Sequence, residues 1–204
     1  MHLSPTPLAT GLAAALAAAP ACAASLQVAL TEAAGRPLPD AVVLLEPASG
    51  KAPVKPLPDV EIAQASRQFN PRVTLITVGT RVHFPNFDTV RHHVYSFSAA
   101  KTFELKLYSG VPAAPIVFDK PGIAVLGCNI HDRMAAWGVV ADTPWFARSG
   151  PDGIARIDAA PAGAYRLSAW HPALAAPGAP ATKTVQLGTA DLRESLALAV
   201  EAMP

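Results

Sequence analysis

The chain has 204 residues, enough for one domain or two small ones. Only 15% of them are charged, against about 25% in a typical soluble protein, and 16 basic residues offset 15 acidic ones to a net charge of +1. That balance leaves no cationic surplus for a nucleic-acid partner, while 13 glycines and 21 prolines are too few for a low-complexity chain and too many for long helices.

Residues 1–23 contain no Lys, Arg, Asp or Glu. Leu8 to Ala19 is rich in Ala and Leu, and Pro20 is followed by the small-residue run Ala21-Cys22-Ala23. This pattern predicts a signal peptide over 1–23, too short to span a membrane and removed on export. Its removal takes Cys22 away and leaves Cys128 as the only cysteine of the mature chain. No internal disulfide can then form. A lone thiol in an oxidising compartment calls for either burial or a bound metal.

After the signal, short β-rich runs alternate with Gly, Pro and Asp punctuation. Strands are expected over Leu26–Leu30, Ala41–Leu45, Val73–Val78, Arg81–Phe84, Phe103–Leu107, Ile116–Phe118 and Ile123–Leu126. Others are expected over Trp137–Val140, Ile154–Ile157, Tyr165–Trp170 and Thr184–Leu187. Leu192–Val200 fits a strand or a short helix. Pro47 to Pro58, with four prolines, reads as a linker, and Pro172 to Thr182 as a loop. Many closely spaced strands imply an all-β sandwich or barrel.

Gly127-Cys128-Asn129-Ile130-His131-Asp132-Arg133-Met134 carries Cys-x2-His-x2-Met. A thiolate, an imidazole and a thioether in seven residues are soft and borderline ligands that select copper over Mg, Ca or Mn. A blue-copper site needs a second imidazole, for which the pair His92-His93 is the best donor. Zinc accepts Cys and His as well, although a thioether is an unusual zinc ligand. His83 alternates with Val82 and Phe84 and reads as a solvated strand residue; His171, in Trp170-His171-Pro172, reads as a packing or turn element.

Three stretches resemble the cupredoxins, the plastocyanin- and amicyanin-like type 1 copper proteins. Phe69-Asn70-Pro71, Val73 to Val78, Gly79-Thr80 and Val82 to Asp88 resemble the family's opening strands and their Asn-x-Asp/Glu turn. His92, six residues after Asn86 and two before Val94, resembles its first ligand strand. Phe118, Pro121-Gly122, Cys128, His131, Met134 and Gly138-Val139-Val140 resemble its closing strands and ligand loop, with the short loop of amicyanin. The likeness covers about residues 57–142. In wording and order the whole chain is also similar to exported bacterial proteins labelled methylamine utilisation proteins.

The resemblance implies a Greek-key β-sandwich holding one type 1 copper through His92, Cys128, His131 and Met134. His93 stands where the family often has an Asn that ties the ligand loops, so either that tie is altered or His93 competes as the ligand. Asp132 and Arg133 follow His131, where amicyanin-like loops are more apolar. The flanks, 25–50 and 143–204, resemble two parts of a transthyretin- or carboxypeptidase-regulatory-like sandwich, with the cupredoxin domain of 52–142 inserted between them. The implied function is outer-sphere electron transfer between redox partners in the periplasm, through the His131 edge and without enzymatic turnover. The same ligands would also suit a copper-trafficking protein without redox turnover, and a copper-free interaction module would bury Cys128 and Met134 as core.

Overall fold

The computed structural model describes residues 24–131, 133–174 and 180–201. The expected signal peptide lies outside the described residues. All regular structure among them is β-strand. The chain opens with β1 (Leu26–Glu32) and β2 (Val42–Pro47). It continues through β3 (Val60–Glu61), β4 (Ala63–Ala65), β5 (Gln68–Asn70), β6 (Val73–Thr77) and β7 (Thr80–His83). Then come β8 (His92–Ser98), β9 (Lys101–Tyr108), β10 (Ile116–Phe118), β11 (Gly122–Gly127) and β12 (Ala135–Ala141). It closes with β13 (Phe146–Arg148), β14 (Ile154–Ile157), β15 (Gly163–Trp170), β16 (Ala181–Leu187) and β17 (Leu192–Leu198).

Every strand expected from the sequence is present, with ends moved by a few residues. The ambiguous Leu192–Val200 is a strand: β17 pairs in parallel with β1, from Leu26↔Leu192 to Glu32↔Leu198. No strand interrupts the proline-rich stretch between Pro47 and Val60. The loop expected over 172–182 ends earlier, because β16 begins at Ala181.

The strands form two groups around separate cores. In the first, the sheets β14-β1-β17 and β13-β2-β15-β16 draw on both ends of the chain. Alternation in β1 sends Leu26, Val28 and Leu30 inward, where they meet Val43, Leu45, Leu167, Val185, Leu187 and Leu198. In the second group, a five-stranded sheet of order β6-β12-β11-β8-β9 packs with β10-β7-β3 and the β4–β5 hairpin. Between them lie Ile62, Phe69, Ile76, Val82, Phe84, Val94, Phe118 and Leu126, all buried. Phe103 bridges the layers, with ring centroids 5.5 Å from Phe84 and 6.1 Å from Phe118. Gly79, between β6 and β7, takes φ +87°, and an added Cβ would stand 2.9 Å from Pro56 Cγ, so the turn accepts only glycine comfortably.

A third cluster joins the two groups. Val42, Val73, Val139 and Trp170 are buried together, with Leu44, Leu75, Ile123 and Trp137 packed against them. Adjacent residues of β2 therefore serve different cores: Val43 faces the first and Val42 the third. Arg72 lies 5.1 Å over the Trp137 ring at the edge of this junction.

Candidate metal centre

The register of β8, β11 and β12 builds the site. β11 and β12 are antiparallel and pair Gly127 with Ala135, so residues 128–134 form the loop between them. Gly127 also pairs with Tyr95 of β8, which brings the start of β8 beside the loop. An added Cβ at Gly127 would fall 2.7 Å from Tyr95 Cζ, so the absence of a side chain permits this close approach. A register shift between His92 and Val94 adjusts the end of β8 where it meets Tyr108 of β9.

Cys128, a free thiol, is buried, as is Met134, while His131 is half-buried. His92, the first residue of β8, has no exposed surface. Cys128 Sγ lies 4.0 Å from His92 Nδ1 and 3.8 Å from His131 Nδ1. One donor atom from each of the three residues lies within 4.8 Å of the other two, and the imidazole centroids are 4.9 Å apart. Two nitrogens at about 2.0 Å and a sulfur at about 2.3 Å from one ion, set trigonally, would stand roughly 3.5–3.7 Å apart. The observed spacing therefore fits one metal ion bound by two imidazoles and a thiolate. The Met134 N–H donates to the His131 carbonyl (2.9 Å), which closes the loop tightly, and Met134 shares the buried cluster of Cys128.

The two adjacent histidines part company. His92 Nδ1 faces the sulfur, and its Nε2 meets Asp88 Oδ2 at 2.7 Å. His93 Nε2 instead bonds Glu104 Oε1 at 2.9 Å, and its ring lies 5.6 Å from that of Tyr95. His93 is thus outside the cluster, on the other face of β8. The Asp88 carboxyl is held below the usual carboxylate range, first by the Arg67 N–H, then by His92 and the Ser66 N–H.

Asn86 shapes the loop before β8. Its amide donates to the carbonyls of Val90 (2.9 Å) and Tyr108 (3.0 Å), and its oxygen accepts from the Asp88 N–H (2.9 Å). Beneath the loop, buried Gln64 donates to the Phe84 carbonyl (3.1 Å) and bonds the Tyr108 hydroxyl. Asp88, Gln64 and Tyr108 were not singled out from the sequence as site residues. Only the Asn-x-Asp spacing signalled Asp88; the other two bonds depend on contacts between distant strands.

Among the described residues, the remaining histidines, His83 and His171, lie apart. His83 is only partly solvated, with Nε2 2.9 Å from Asp59 Oδ2 on the outer side of β7. His171 is buried at the start of a turn, where its Nδ1 accepts from the Ala173 N–H (3.1 Å), as expected for a turn element. Around the ligand loop the surface is mixed. Ile130 before His131, and Phe87 and Val90 on either side of Asp88, are exposed apolar groups, and Arg133 is exposed as well; Asp132 lies outside the described residues.

No protein-family model matches the chain, and no curated protein does. Part of it is similar to solved structures. A reduced Cu(I) form of an amicyanin variant is 16% identical over 43% of this chain and 92% of that one, with a TM-score of 0.37. A purple cupredoxin from Nitrosopumilus maritimus is 22% identical over 41% and 98%, with a TM-score of 0.35. A copper-containing nitrite reductase from Thermus scotoductus SA-01 is 26% identical over 56% and 28%, with a TM-score of 0.38. With two imidazoles and a thiol gathered between the start of β8 and the β11–β12 loop, this all-β chain is consistent with a cupredoxin.

Proposed function

We propose that the protein is an exported type 1 copper protein that carries single electrons between redox partners, one copper being held by His92, Cys128, His131 and Met134. The observation that carries this reading is the approach of Cys128 Sγ to two imidazole Nδ1 atoms, at 4.0 and 3.8 Å. Residues 1–23 serve as the signal peptide, and the carrier works in the periplasm with other redox proteins.

Copper bound in this way supplies a one-electron Cu(II)/Cu(I) couple. The chain's part is to keep the donors still. Cys128 and His92 are buried, so neither exchanges its metal-facing atom with water. The β11–β12 pairing fixes the loop ends, and the Met134 N–H fixes its final turn. Rigid donors keep rearrangement small when an electron enters or leaves. His131 is the half-exposed member of the cluster and offers the shortest way out through its ring edge. Outer-sphere transfer calls for neither a substrate site nor a general base, so the protein acts as a carrier and not as an enzyme.

Adding Cu(II) to the purified protein tests the reading. An intense visible thiolate-to-copper band, bleached by one electron per protein, is expected. Cys128→Ala and His92→Gln should abolish the band, and His93→Gln should retain it. Colour in Cys128→Ala would refute the ligand set. Cu(I) binding without a persistent Cu(II) band would favour copper trafficking instead.

A further inference from the structure

The His92 imidazole is contacted at both nitrogens, and it has no exposed surface through which water could compete for either. A neutral imidazole carries its proton on one nitrogen only. Asp88 Oδ2, at 2.7 Å from Nε2, accepts and does not donate when ionised. A single proton on Nε2 satisfies that contact and leaves the lone pair of Nδ1 facing the Cys128 sulfur.

Asp88 is itself clamped from a distant part of the chain. The Ser66 N–H donates to Oδ1 at 2.7 Å, and the Arg67 N–H donates to Oδ2 at 2.9 Å. Ser66 and Arg67 are the two-residue loop of the β4–β5 hairpin. Both take left-handed backbone, φ 54° and 56°, although neither is glycine. Such loops favour Asn-Gly, because most side chains resist that conformation. In this position the strained pair directs two N–H donors at one carboxylate.

We propose that Asp88 is a positioning residue that selects the metal-binding tautomer of His92, and that the β4–β5 hairpin loop is the clamp that aims it. Its purpose rests on the copper reading; the tautomer belongs to the metal-free chain. A carboxylate behind a metal-bound imidazole raises the basicity of the ring and fixes its orientation. The negative charge also favours Cu(II) over Cu(I).

Nitrogen NMR of the metal-free full chain reads the proton directly. Nε2–H on His92 is expected, and Nδ1–H would overturn the proposal. In Asp88→Ala the single tautomer should be lost, copper affinity should fall about 10- to 100-fold, and the reduction potential should rise. An unchanged tautomer and potential in folded Asp88→Ala would also overturn it. If that variant does not fold, Asp88→Leu, which keeps the shape and removes the acceptor, is read in the same way: a mixed or inverted tautomer supports the proposal, and an unchanged single Nε2–H counts against it. Failure of the copper reading looks different. The Nε2–H tautomer would be present and would depend on Asp88, while no visible band would form with Cu(II).

Discussion

Side chains around the ligand loop are held by bonds to backbone carbonyls, and Tyr108 shows the consequence for stability. Its hydroxyl donates to the Phe84 carbonyl at 2.6 Å and bonds Gln64, and burial pushes the phenol up to about 12. An unfolded tyrosine titrates near about 10. The folded value is the higher one, so the contribution of the neutral phenol is complete below about pH 10 and disappears as pH rises through about 12. Denaturant midpoints measured across that window should fall more steeply for the native chain than for Tyr108→Phe, which should start about 1 kcal/mol less stable. At this scale the sequence was most legible where ligands are close together. Cys-x2-His-x2-Met announces itself, and residues 128, 131 and 134 share one loop. The choice between His92 and His93 was open, since period-two alternation says only that they face opposite ways. His93 meets Glu104, which belongs to a different strand, while His92 faces Cys128.

Among the strands, Tyr95 of β8 lies close over Gly127, the last residue of β11 before the loop. An alanine at 127 would put its Cβ 2.7 Å from Tyr95 Cζ and 2.8 Å from its hydroxyl oxygen. Gly127→Ala should destabilise the protein by about 1–3 kcal/mol, as overpacking does, and shift the visible band of the copper form. Removing the obstructing ring in Gly127→Ala/Tyr95→Ala should recover part of that loss, measured as coupling in a double-mutant cycle. The strands that the sequence did not reveal are informative in the same way. β3, β4, β5 and β13 are two or three residues long, and Ala63–Ala65 and Gln68–Asn70 show no run of β-branched residues. Their existence depends on partners such as β7, with which β3 pairs in parallel. β17 could not be separated from a helix by composition because β1, the neighbour that decides the matter, lies at the other end of the chain.

For the molecule as a whole, we propose that 52–142 is a folding unit inserted between 25–50 and 143–204. The two cores support this division: the first takes its buried residues from Leu26–Leu45 and Ala155–Leu198, the second from Ile62–Val140. Isolated residues 52–142 should fold and give the copper band. They should also self-associate in sedimentation, because Leu75, Ile123 and Trp137 would lose their cover from Val42 and Trp170. An unfolded fragment would overturn the insertion. The alternation of the flanking strands was legible, but the junction was not, since Val42 and Val43 are adjacent valines with different destinations. The parallel seam of β1 with β17 sets a timetable for biosynthesis. The half that gathers His92, Cys128 and His131 has all its strands once residue 141 has emerged, whereas one flank of β1 waits for Ile154–Ile157 and the other for Leu192–Leu198. A nascent chain thus passes through a stage in which one half is finished and the leading strand is still unzipped, its open ladder a target for strand invasion until the last ribbon arrives.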